Sequence, residues 1–246
     1  TEKRQAVISH AVTKGLNPDV PMKDSGVEWL GDVPEHWISA KLKYYTNQIV
    51  DGAHFTPTYT DSGVPFLRVS DIHGSTIDKS NIKYIPLREH KVLIKRCNPE
   101  KGDLLLSKNG TIGVPKVVDW DWDFSIFVSL CLIKFKPKLL SSYAEYFFKS
   151  YEIKEQINGL IKQSTVINLH LDKIQNFWFS IPPISEQLEI IDYLNAQITK
   201  FDSLIDKAQT VIQLMQERRT ALISAAVTGK IDVRDWDVHV ASEVCS

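Results

Sequence analysis

Towards the C-terminus, apolar residues recur at alternating spacings of three and four: Ile191, Leu194, Ile198, Phe201, Ile205, Ala208, Ile212 and Met215, then, past an exception at Arg219, Leu222 and Ala226. This is a heptad seam, and it predicts one continuous helix from Ser185 to Thr228, on the order of 65 Å long at about 1.5 Å per residue. Pro182-Pro183 punctuates its start and Ser185 is the candidate N-cap. So long a helix cannot bury its seam on a domain of this size. The seam residues Ile191, Leu194, Ile198, Phe201, Ile205, Ile212, Met215 and Leu222 are therefore expected to pair with a second long helix.

Upstream the pattern changes to short β-branched and aromatic runs between turn residues. Strands are predicted at Val64–Val69, Asp103–Ser107, Val114–Val118, Ile126–Phe135 and Phe177–Ile181, and a helix over Tyr143–Ile161. Few helices separate the strands, which disfavours a doubly wound parallel sheet. The fold class is α+β: an irregular mixed α/β domain over residues 37–181, then the long helix over 182–231 and a tail over 232–246. Residues 17–36 carry Asn17-Pro18, Val20-Pro21, Gly26, Gly31 and Val33-Pro34, and read as an extended linker pinned by Trp29 and Trp37.

The two ends of the chain repeat each other. Glu2–Lys14 aligns with Glu217–Gly229 at a constant offset of 215, sharing Glu, Arg, Ala, Ile, Ser, Ala, Val and Thr. Both copies read as a helix running into a glycine, Gly15 or Gly229, suited to a left-handed cap. Residues 1–16 are thus expected to be a helix end of the same kind as the one that closes the chain. That arrangement suits one unit of a tandem pair, or a module that pairs with its own copy. Two similar capping helices on a single module are the plainer alternative.

Composition sharpens this only in places. The net charge is -1, yet residues 36–181 hold 19 Lys and Arg against 14 Asp and Glu, so the middle is mildly basic and the flanks acidic. The three cysteines, Cys97, Cys131 and Cys245, have no CxxC spacing, which argues against a zinc site or disulfide framework; Cys131 reads as a buried apolar residue. No stretch approaches the roughly 20 apolar residues of a membrane span, and the N-terminal residues lack the core of a signal peptide, so a cytoplasmic location is expected. There is no HExxH, GxSxG, Walker loop or methyltransferase glycine motif. The cluster Asp119–Asp123, Asp-Trp-Asp-Trp-Asp, reads as an acidic aromatic turn rather than a metal site. No cofactor and no catalytic residue is expected.

Val64-Pro-Phe-Leu-Arg-Val-Ser-Asp-Ile, Lys101-Gly-Asp-Leu-Leu-Leu-Ser-Lys-Asn-Gly-Thr-Ile-Gly, Ile181-Pro-Pro-Ile-Ser-Glu-Gln and Arg219-Thr-Ala-Leu-Ile-Ser-Ala-Ala-Val-Thr-Gly-Lys-Ile occur in this order along the chain. Together they resemble the specificity subunit of type I restriction-modification systems over nearly the whole chain. The resemblance implies a target-recognition domain followed by a spacer helix, bound to double-stranded DNA and to the methyltransferase and restriction-translocase subunits. In that family two recognition domains read a bipartite site and their helices pair antiparallel. This chain carries one such domain, so a homodimer or a second copy of the module is implied. A coiled-coil interaction protein that never touches DNA is the competing reading.

The resemblance also gives roles to polar loops. In Ser107–Gly113 the backbone amides and Lys108 suit a phosphate, and Asn109 and Thr111 suit base edges; an ordinary hairpin turn is the local alternative. Further candidates are His54, Thr56 and Tyr59, then Arg68 and Ser70, and finally Lys162, Gln163, Ser164, Thr165, Asn168 and His170. Arg68 has two readings, a base reader or a salt-bridge partner of Asp71.

Overall fold

The computed structural model describes residues 2–74, 76–161 and 168–232. The chain folds as two compact units, Thr1–Asn195 and Ala196–Ser246. The first begins with helix α1 (Glu2–Lys14), the strands β1 (Met22–Asp24) and β2 (Asp32–Pro34), β3 (Ile38–Lys41) and β4 (Thr46–Asp51). It continues with β5 (Val64–Leu67), β6 (Lys83–Ile85), α2 (Leu87–Leu93), β7 (Leu104–Ser107), β8 (Pro115–Val117), β9 (Ser125–Ile126) and β10 (Leu130–Phe135). Then come α3 (Ser141–Phe148), α4 (Tyr151–Ile161), α5 (Leu171–Gln175), β11 (Trp178–Ile181) and the long helix α6 (Ile184–Val227), which crosses into the second unit.

The core lies on an antiparallel sheet of order β4-β10-β7-β8, whose central strands contribute Leu105, Leu130 and Leu132 at 0% exposure. A second sheet, β6-β5-β9, pairs β5 with β9 in parallel. The apolar run at 126–135, predicted as one strand, is divided between the two sheets. At the break Phe127 N donates to Leu67 O, Val128 N to Ala53 O and Leu130 N to Phe127 O, each at 2.9 Å. Gly52 passes so close to this crossing that a Cβ there would lie 2.0 Å from Ile126 O, so only glycine fits.

The helix predicted over Tyr143–Ile161 is likewise two. The chain turns at Lys149-Ser150, where the fully buried Ser150 accepts a 3.4 Å hydrogen bond at Oγ from Ile153 N and so starts α4. Before it, residues 17–36 are more than a linker. Strands β1 and β2 form an antiparallel pair, Val33 and Trp37 are fully buried, and Trp37 Nε1 donates to Glu186 Oε2 at 2.9 Å. Trp29 stays 42% exposed, with its ring edge against Gly159 of α4.

Helix α1 seats Ile8, Ala11 and Val12 in the first unit, and Val12 O accepts from Tyr143 Oη at 3.0 Å and Ser180 Oγ at 2.7 Å. Gly15 caps it at φ 78°, the left-handed region read from the sequence. The first turns of α6 also belong to this unit, with Gln187, Ile190 and Leu194 buried. Leu194 at 0% exposure is therefore core, which corrects its place in the pairing seam. In the second unit the seam residues Ile205, Ile212, Met215 and Leu222 stand 44, 55, 66 and 50% exposed, while Ile198 and Phe201 there, and Ile191 in the first unit, are half-buried. Helix α6 closes at Gly229, φ 70°, with Lys230 N donating back to Ala225 O at 2.8 Å.

Candidate nucleic-acid interface

Four stretches far apart in sequence meet at one edge of the first unit: the end of β4 with the turn after it, the segment following β5, the β7–β8 loop and the lead-in to α5. The β7–β8 loop is a hairpin connection, as its local pattern suggested, closed by Ser107. Ser107 Oγ accepts from Val114 N at 2.8 Å and Ser107 O from Gly113 N at 2.8 Å, while Gly110 and Gly113 take φ of 73° and 79°. The loop is joined to the α5 lead-in by an antiparallel bridge between Asn109 and Asn168 and by Leu169 N donating to Lys108 O at 2.9 Å. Lys108 N donates to Ser129 O at 2.9 Å, and Ser129 Oγ accepts from Val69 N at 3.3 Å, which ties in the segment after β5.

At the centre lies Asp51, which sequence reading missed. Its carboxylate accepts from Lys108 Nζ at 2.8 Å, lies 2.9 Å from His54 Nε2 and pairs with the Arg96 guanidinium. Burial pushes the Asp51 carboxyl up, but the hydrogen bonds of Lys108 and His54, the Lys108 charge and Arg96 outweigh it and hold the group at about 2. A carboxylate depressed from 3.8 to about 2 favours the folded state above its unfolded value and loses that contribution as pH falls through the folded one. Between about pH 4 and pH 2 the domain should lose about 2 kcal/mol on this account. Acid titration of the unfolding midpoint checks it, since a flat response over that window would show that Asp51 does not carry the pair.

The candidate residues fall into distinct places. Lys108 is corrected: its side chain is 6% exposed and spent on Asp51, so it is a strut under the loop and not a phosphate contact. Arg68 takes the salt-bridge reading, with Nε and Nη2 donating to Asp71 at 3.2 Å, though its side chain keeps 31% exposure. Ser70 is exposed beside them and donates to Asp71 at 3.0 Å. His54, Thr111 and His170 are exposed at the joined edge. The Oδ1 atoms of Asn109 and Asn168 are enclosed with no hydrogen-bond partner among the described residues. Thr56 and Tyr59 are exposed on the loop beyond His54, where the Tyr59 ring leans on Phe66 at 6.2 Å. Lys162, Gln163, Ser164 and Thr165 lie outside the described residues.

Arg96 was also missed, because nothing local marks it; its partner Asp51 is 45 residues away. The Asp119–Asp123 cluster lies in an irregular loop that bends at Trp122, in which Trp120 and Trp122 stack at 5.1 Å and pack against Phe124, and Asp121 pairs with Lys101 at 2.8 Å. Cys131 is fully buried, which pushes its thiol up to about 12.

Comparison with known proteins identifies the family and the fold. The family model described as type I restriction modification DNA specificity domain matches residues 38–213. The type I restriction enzyme EcoKI specificity subunit of Escherichia coli K12 is 23% identical over 211 residues, covering 82% of this chain and 44% of the relative. The StySPI specificity subunit of Salmonella potsdam matches with the same identity and coverage. Among solved structures, one of a type I R-M system aligns at a TM-score of 0.64 with 19% identity, over 91% of this chain and 50% of that one. The HsdS subunit from Thermoanaerobacter tengcongensis aligns at 0.55 with 18% identity, over 85% and 45%. These likenesses show the mixed α/β fold with its long helix. The chain spans less than half the length of the two curated relatives.

Proposed function

Because the chain belongs to the type I restriction-modification DNA specificity family, we propose that it reads a DNA sequence on behalf of partner subunits and carries no covalent chemistry of its own. The observation that carries this is the joined edge. Polar side chains from four separated segments are locked by backbone pairing and one buried ion pair into a single rigid surface, as base readout in a groove requires. The basic balance of residues 36–181 suits phosphate contact around it. No described helix is long and apolar enough to cross a membrane.

The partners are double-stranded DNA, a DNA adenine methyltransferase subunit and a restriction-translocase subunit. The exposed apolar seam of the second unit takes a second copy of the module, which sets two reading edges at a spacing fixed by the helices. Methylation profiling of DNA exposed to this chain with its methyltransferase subunit tests the reading. A bipartite adenine motif that disappears when this chain is omitted is the expected result. Methylation that is unchanged by its omission would sink it.

A further inference from the structure

The ion pair at the joined edge does more than fill a buried site. Asp51 is 5% exposed and its carboxylate holds three side chains at once, the cations Lys108 and Arg96 and the His54 ring. One of them, Lys108, is buried with it; the other two, His54 and Arg96, keep 59 and 54% of their side-chain surface. Arg96 is further fixed by Nη1 donating to Gly52 O at 3.2 Å, and Gly52 is itself locked against Ile126. His54 Nε2 and Arg96 Nη2 lie 3.4 Å apart. Both residues line a cavity of about 240 Å³ together with Gly52, Phe55 and Val92.

A guanidinium has five donors in a fixed fork, and only part of that fork is used internally here. The remainder faces outward from a rigid mount, the arrangement that suits an anionic oxygen. Lys108 cannot serve, since it is enclosed. We propose that Arg96, with His54 beside it, is a DNA phosphate contact of this domain, and that Asp51 is the positioning residue that fixes both at the reading edge. The proposal rests on the DNA-reading function and deepens it. Arg96 thereby anchors the register in which the β7–β8 loop and the α5 lead-in meet the bases.

The test measures duplex binding by the purified chain with its methyltransferase subunit, on the profiled motif and on a scrambled duplex, over a salt series. Arg96→Gln changes a half-exposed side chain, and a thermal melt checks that the fold is retained. It should weaken binding roughly tenfold on both duplexes and lower the salt slope by about one, as loss of a single phosphate contact does. The second background is the pair Asp51→Asn with Lys108→Met, which removes both buried charges together and avoids orphaning either. There Arg96→Gln should cost less than about twofold, because Arg96 is no longer held. An equal loss in both backgrounds would overturn the positioning role of Asp51. No loss in the wild-type background, or a loss confined to the motif, would overturn the phosphate contact. If the wild-type chain fails to bind any duplex, the DNA-reading function itself fails, and this proposal with it.

Discussion

Asp51→Ala should destabilise the first unit by about 3–5 kcal/mol, the usual cost of leaving one member of a buried ion pair without its partner. Lys108 is the member left behind, with a side chain only 6% exposed and its ammonium 2.8 Å from the missing carboxylate. For a unit of this size each kcal/mol moves the melting temperature by about 2–4 °C, so a fall on the order of 10 °C is the result to look for. Replacing both partners, Asp51→Asn with Lys108→Met, should recover most of it, because no charge then remains to be solvated. The contrast between the single and double variants is the informative measurement, read as melting temperature and denaturant midpoint. A single variant that loses less than about 1 kcal/mol would mean that water reaches Lys108 once Asp51 is gone, and that the edge is softer than its burial indicates.

The long helix was legible because its signal is repeated. A heptad pattern sustained from Ile191 to Leu222 over-determines the element, and Ile184–Val227 differs from the predicted Ser185–Thr228 by one residue at each end. What the pattern cannot tell is which neighbour covers each seam position. Leu194 has the same spacing as Ile205, yet it is sealed in the first unit while Ile205 is exposed. The strands were legible as apolar runs, but not where the run at 126–135 changes sheets, since β9 and most of β10 are buried on both faces and leave the composition unbroken. Ser150 shows the same limit in a helix: the residue that divides α3 from α4 is a small buried serine, with none of the proline or glycine that marks a break from sequence alone.

In the candidate site, sequence reading found the loops but not their wiring. The polar stretches at 107–113 and 162–170 read as separate candidates from sequence, and the Asn109–Asn168 bridge joins the first to the described end of the second. Lys108 looked like a phosphate ligand because a lysine in a glycine-containing hairpin is normally exposed. The carboxylate beneath it comes from a strand end 57 residues earlier, a separation that no local pattern reports. Arg96 was invisible for the same reason, and it is the cation that the ion pair leaves facing outward.

Ile205→Asp combined with Ile212→Asp should abolish pairing between modules without lowering the melting temperature of the first unit. The two residues sit seven apart, so they share one position of the heptad and one face of the helix, and both belong to the second unit, at 44 and 55% exposure. In a paired helix each would be buried against its counterpart. Two introduced carboxylates per chain put four uncompensated charges into one seam, and each costs several kcal/mol. At about 1.4 kcal/mol for every tenfold in affinity, the dimer should be lost at any accessible concentration. Light scattering after size exclusion reads the result directly: a mass of two copies for the wild type and one for the variant. A variant that keeps the doubled mass would move the contact to the stripe of Leu204, Val211 and Leu214, which is 53, 48 and 58% exposed. A wild type that runs as one copy would leave the seam to a different protein, and the spacing between two reading edges would then be set by that partner rather than by this chain.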